Sequence, residues 1–154
     1  MQASPNTIGV LASGGLDSSI LVAHLLGQGN RVQPFYIRKG LYWQEHELAG
    51  LQTFLRAIAT PNLPELVVLD LPLADLYSGH WSLTGQDTPA HDSPDEAVYL
   101  PGRNALLLVK PAVWCQLHHE RVERATSIQG VEPWHVGLTG PRPETITVRK
   151  REVT

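Results

Sequence analysis

The chain has 154 residues, enough for one domain with a modest core. Twelve Lys and Arg against fifteen Asp and Glu leave a net charge of −3, which argues against unspecific attraction to nucleic acid. The single Cys115 excludes an intramolecular disulfide framework and a multi-cysteine zinc site, and no apolar run nears the roughly 20 residues that cross a bilayer. The first residues, MQASPNT, carry no basic leader segment, so the sequence reads as a cytoplasmic protein without a membrane partner.

In chain order, TIGVLAS (7–13) is short, apolar and β-branched, which predicts a buried strand. LDSSILVAHLLGQG (16–29) predicts a helix whose apolar face is Ile20, Leu21, Ala23 and Leu25, stopped by Gly27 and Gly29. RVQPFYIR (31–38) predicts a second strand, with Pro34 placing it at an edge or a bulge. WQEHELAGLQTFLRAIA (43–59) sets Leu48, Leu51, Leu55 and Ile58 at helical spacing, and ELVVLDL (65–71) predicts a third buried strand. Strands alternating with helices imply a parallel α/β sheet with right-handed crossovers. Residues 77–100 form a polar stretch too long for an idle connection, hence a candidate binding loop. ALLLVKPAVWCQL (105–117) then predicts a helix despite Pro111. Charge marks a break after it: six basic and ten acidic residues lie in 1–117, six and five in 118–154.

The chemistry concentrates at LASGGLDSSIL (11–21). In a parallel sheet, ligands bind beyond the carboxyl ends of the strands, where this loop would lie. A following helix offers unpaired first-turn amides and the positive end of its dipole. Two glycines let the backbone approach a bulky anion, and Ser13, Ser18 and Ser19 offer hydroxyl donors. The plain alternative is a glycine turn capped by Asp17 or Ser18. Neither a Walker loop nor a dinucleotide fingerprint is present. Asp17 then suits holding a divalent cation or orienting the helix start.

SGGLDS (13–18) after a first strand resembles the S-G-G-x-D-S loop of the N-type ATP pyrophosphatases (PP-loop superfamily). Within them, YLPGRNALLLVKPAVW (99–114), GHWSLTG (79–85) and HELAGLQTFLRAIA (46–59) resemble segments of the 7-cyano-7-deazaguanine synthases. The resemblance covers about residues 6–117. It implies a doubly wound, adenine nucleotide alpha hydrolase-like fold. It also implies an ATP- and Mg²⁺-dependent ligase that turns 7-carboxy-7-deazaguanine and ammonia into the nitrile of the queuosine precursor. It assigns ATP binding to Ser13, Gly14, Gly15, Leu16, Asp17, Ser18 and Ser19, catalysis to Asp17 and Arg103, and substrate contacts to Arg103 and Asn104. Arg103 suits bidentate phosphate contact, with a salt bridge at a helix start as its alternative. Asn104 has a rival role as helix N-cap.

Other residues carry weaker signals. His46, His80 and His91 can meet near such a site, although solvated histidines are the default. His118 and His119 are adjacent, so they make a poor metal pair. Cys115 reads as a small buried helix residue. Trp43 and Trp81 either stack on a purine-like ring or pack in the fold.

From His118 onward the family's continuing strand, its pocket-closing segment and its four zinc cysteines are not recognisable. The expectation is therefore a domain at 1–117, an atypical tail at 118–154, and a sheet lacking strands on the far side of its first strand. PWHVGLTG (133–140) is the candidate for a replacement strand. A possible homodimer, another ATP pyrophosphatase acting on tRNA or an amide, and a nucleotide-binding protein without turnover remain alternatives.

Overall fold

The β-branched run before the glycines forms β1 (Thr7–Leu11), and α1 (Leu16–Gly27) starts directly after them. β2 (Arg31–Arg38), α2 (Gln44–Ala57) and β3 (Val67–Asp70) complete two strand–helix–strand units. A single-turn helix, α3 (Trp81–Thr84), lies in the long connection before α4 (Arg103–Leu117). Three strands follow: β4 (Val122–Ser127), β5 (Trp134–Leu138) and β6 (Ile146–Lys150). The computed structural model describes residues 7–93, 100 and 102–118, together with the backbone of β4, β5 and β6.

The strands form one sheet in the order β3-β2-β1-β4-β5-β6. β1 pairs in parallel with β2 on one side and β4 on the other, β2 pairs in parallel with β3, and β5 and β6 add antiparallel. The chain winds outward to β3, then returns through α4 to the far side of β1. That reversal puts helices on both faces. On one face Val22 of α1 and Leu48, Leu51 and Leu55 of α2 pack on Val10, Val32 and Tyr36. On the other, Leu107, Leu108, Ala112 and Cys115 of α4 pack on Leu11, Phe35 and Ile37. The Lys110 ammonium donates to the Asp70 carbonyl, tying α4 to the end of β3. The expected α/β doubly wound class is present.

Several local expectations change. β1 was expected to lack a neighbour on its far side, but β4 pairs with it there, with Gly9 opposite Ala125. Beyond β4 the sheet turns antiparallel instead of adding another helical crossover, so the second winding is short. The replacement strand expected within 133–140 is β5.

Pro34 does not make β2 an edge, because β2 lies between β1 and β3 with residues 32–37 buried. The Phe35 carbonyl accepts from Ala12 N on the β1 side, at 2.8 Å, so alternation turns the Pro34 nitrogen towards β3. There the ladder begins only at Phe35–Val67, and no donor is missed. The buried Gln33 amide fills the gap, donating to Glu65 O at 2.9 Å and Pro34 O at 3.3 Å. β3 is the edge instead, with Val67 and Leu69 half-buried and Val68 and Asp70 exposed. In α1 the core positions are Ser18 and Val22, whereas Ile20 and Ala23 face outward. Pro111 sits inside α4, fully buried, at the cost of one backbone bond to Leu107.

Candidate functional site

β1 delivers the chain to Ser13 at the carboxyl edge, beside the point where the strand order reverses. Ligand crevices of open α/β sheets form at such points. The loop is closed by its own hydroxyls. Ser13 N donates to Ser18 Oγ at 3.3 Å, and Ser18 Oγ donates to Gly15 O at 3.0 Å. Ser19 Oγ also donates to Gly15 O, at 3.0 Å, and Gly15 N donates to Ser13 Oγ at 3.4 Å. Ser18 is buried and its hydroxyl is engaged in both directions, so it shapes the loop. Gly15 is the N-cap of α1 and no side chain caps the helix, so neither Asp17 nor Ser18 plays that part. The first backbone bond of α1 is Ser19 N to Gly15 O. Among the described residues, the amides of Leu16, Asp17 and Ser18 are left for a ligand, with the Asp17 carboxylate exposed beside them.

The two glycines have different reasons to be there. Gly14 has φ +83°, and a Cβ on it would lie 2.8 Å from the Glu47 carbonyl oxygen of α2. Backbone conformation and packing both require glycine at this position. Gly15 has φ −74°, which any residue adopts, and its Cβ would meet only Ser13 Oγ at 3.4 Å. The fold makes no demand for glycine at position 15. A ligand approaching the backbone would.

Beside the loop, Lys39 directly follows β2. This lysine is only 7% exposed and lines a small depression together with Leu11, Ala12, Ser13, Phe35, Ile37 and Leu107. Burial first, then the positive charge of Arg103, pushes its pKa below the ordinary lysine range, while Glu47 acts the other way. Glu47 in turn accepts from the buried Tyr36 hydroxyl at 3.3 Å, and that hydroxyl also donates to Gln44 O at 3.0 Å. Burial and the Glu47 charge hold the Tyr36 pKa well above its usual range. Arg103, the first residue of α4, is near enough for its charge to act on Lys39. Asn104 lies half-buried in the same first turn, and the N-cap is Gly102 at φ 72°, so the rival capping role of Asn104 is excluded. Reading the sequence missed Lys39. Its signal was faint: the second of two cations closing an apolar strand in YIRKG.

Of the remaining candidates, several make contacts within the fold. Trp43 and Trp81 lie against each other, ring centroids 5.6 Å apart, and His80 caps α3 by accepting from Ser82 N. His46 and His91 are exposed and share no described contact with His80. His118 stacks on Trp114 at 3.9 Å. Cys115 is buried, as expected. Among the described residues, no three His, Cys, Asp or Glu gather to hold a metal ion, and no helix is long and apolar enough to cross a membrane.

The model of the family described as queuosine biosynthesis protein QueC matches residues 7–128, and so takes in β4. A curated relative, 7-cyano-7-deazaguanine synthase 1 of Desulfitobacterium hafniense (strain Y51), is 30% identical over 106 residues. That alignment covers 67% of this chain and 47% of the relative, so the chain spans about half of the protein it matches. With the loop after β1 and the sheet order around it, a match over most of the sequence places this chain in the QueC family.

Proposed function

We propose that the chain binds ATP at the Ser13–Ser19 loop and uses it in a 7-cyano-7-deazaguanine synthase-type reaction. The observation that carries this reading is the coincidence of open first-turn amides and the unforced Gly15 directly after β1, where the strand order reverses. The amides of Leu16, Asp17 and Ser18 would hold phosphate oxygens, and Ser13 lies next to them. Arg103 would neutralise charge that develops on the leaving pyrophosphate, and Asn104 would assist the acceptor.

A carboxylate is a poor electrophile, so its oxygen must leave as a phosphate ester before ammonia can replace it. In the proposed reaction, the carboxylate of 7-carboxy-7-deazaguanine attacks the α-phosphorus and pyrophosphate departs. Ammonia then attacks the acyl carbon and AMP departs, leaving an amide that a second activation dehydrates to the nitrile. Mg²⁺ fits this site as a phosphate-bound ion, since it takes few protein oxygens and Asp17 supplies an exposed one. Zinc does not fit: the sequence has one cysteine, and it is buried in α4.

A second reading, nucleotide binding without turnover, is favoured by one fact: the family match ends at residue 128 and the segment after it departs from the family pattern. Isotope exchange between ATP and pyrophosphate separates the two. Exchange that depends on 7-carboxy-7-deazaguanine supports the synthase reading. ATP binding without exchange supports the second, and absence of ATP binding overturns both.

A further inference from the structure

We infer that Lys39 is an oxyanion-binding residue of this site, contacting a phosphate of the bound nucleotide. The inference rests on the ATP-binding reading above and adds to it a residue outside the loop motif.

Lys39 is more than nine-tenths buried along its length; its ammonium keeps some contact with solvent, and no described residue gives it a hydrogen bond or ion pair. A lysine held this far inside the fold loses much of its hydration, and an anion bound beside it restores what is lost. The nearest acid, Glu47, already accepts from the Tyr36 hydroxyl, and the other charged neighbour is Arg103, a second cation. Two like charges at one strand edge repel until an anion lies between them. The depression that Lys39 lines also contains Ser13, and the open end of α1 begins two residues further on. The helix amides and the Lys39 ammonium therefore lie beside one loop where the strand order reverses, with the Arg103 charge acting on Lys39. The group that satisfies all three is a phosphate chain with several oxyanions, more than one charge in extent. A lone carboxylate would leave either the helix end or one of the cations unanswered.

The test compares the whole chain with its Lys39→Met variant, which keeps the length and apolar stem of the side chain and removes the charge. Calorimetry would follow inorganic pyrophosphate, ATP with Mg²⁺, and adenosine, and thermal melting would monitor the fold. The expected result is a loss of about 10- to 100-fold in affinity for pyrophosphate and ATP, the range for one charged hydrogen bond. Adenosine affinity should stay unchanged, and the ligand-free variant should melt no lower than the wild type. Should Lys39→Met fail to fold, Lys39→Gln tests the same charge. Unchanged pyrophosphate affinity in a folded variant overturns the role of Lys39 and leaves the ATP site standing. Absence of ATP and pyrophosphate binding in the wild type overturns both.

Discussion

At the scale of single residues, Gly14 and Gly15 separate fold from function. Gly14→Ala forces a side chain into positive φ and against the Glu47 carbonyl, so it should cost about 1–3 kcal/mol in denaturant unfolding. Gly15→Ala needs no backbone change and should stay within about 0.5 kcal/mol of the wild type. Its methyl group would stand at the mouth of the loop, and ATP affinity measured by calorimetry should fall by about tenfold. Equal ATP affinity for Gly15→Ala and wild type would mean that the bound nucleotide does not need a bare backbone at position 15. Lys39 makes a second residue-scale prediction, in pH. Its folded pKa is lowered by burial and by Arg103, so between that value and about 10.4 the unfolded chain binds more protons. Stability of the ligand-free protein should therefore gain from Lys39 as pH rises through this window. Tyr36, whose pKa is raised, acts oppositely above about pH 10. Urea midpoints of wild type and Lys39→Met between pH 7 and 9.5 should differ in slope, the variant being flatter. The loop was legible in the sequence because its residues are contiguous. Lys39 was not, since the depression it lines is closed by Leu107, more than sixty positions away.

Within the elements, the start of α1 depends on one hydroxyl more than on another. Ser18 Oγ accepts from Ser13 N and donates to Gly15 O, and no solvent replaces it in its buried position. Ser18→Ala should cost about 1–3 kcal/mol and loosen the loop, lowering ATP affinity with it. Ser19→Ala removes a bond to the same carbonyl, which keeps its backbone partner, and should be nearly neutral in stability. Thermal melting of the two variants side by side checks the ranking, and equal losses would contradict it. The sequence suggested that every serine in the loop faces the ligand, because motif spacing carries no information about which hydroxyls the loop uses to hold itself. The same limit explains α1. Ile20 and Ala23 fit a helical face on paper, but the buried Ser18 sets the rotation and turns Ile20 to solvent, 56% exposed. In α2 the spacing of Leu48, Leu51 and Leu55 was decisive, and those leucines are the buried ones. Pro34 misled for a related reason: its cost depends on where the neighbouring strand begins, which only the paired register shows.

For the whole molecule, the question is where the folding unit ends. The charge break and the fading resemblance both set a boundary at 117, and β-strand patterning after it is weak because β4 (VERATS) has two adjacent charges followed by three small residues. Yet β4 pairs with β1 in parallel, and α4 lies against both β1 and β4. A chain ending at residue 117 would leave the central strand β1 with one open edge and part of α4 uncovered. Open strand edges template association. A few hundred Å² of apolar surface left in water, at roughly 25 cal/mol per Å², forfeits several kcal/mol, which is comparable to the net stability of a domain. A 1–117 fragment should therefore self-associate or lack a cooperative melt. A 1–128 fragment, which restores β4 and matches the extent of the family match, should recover part of the stability. The full chain, with β5 and β6 covering the outer edge of β4, should be the most stable of the three. Sedimentation and thermal melting of this series give the order directly. A monomeric 1–117 fragment melting at the temperature of the full chain would show that β4 contributes nothing to β1 and that the boundary read from charge was right. If instead ATP affinity follows the same order as stability, the loop after β1 depends on both of its flanking strands, as expected for a site built at the reversal of the sheet.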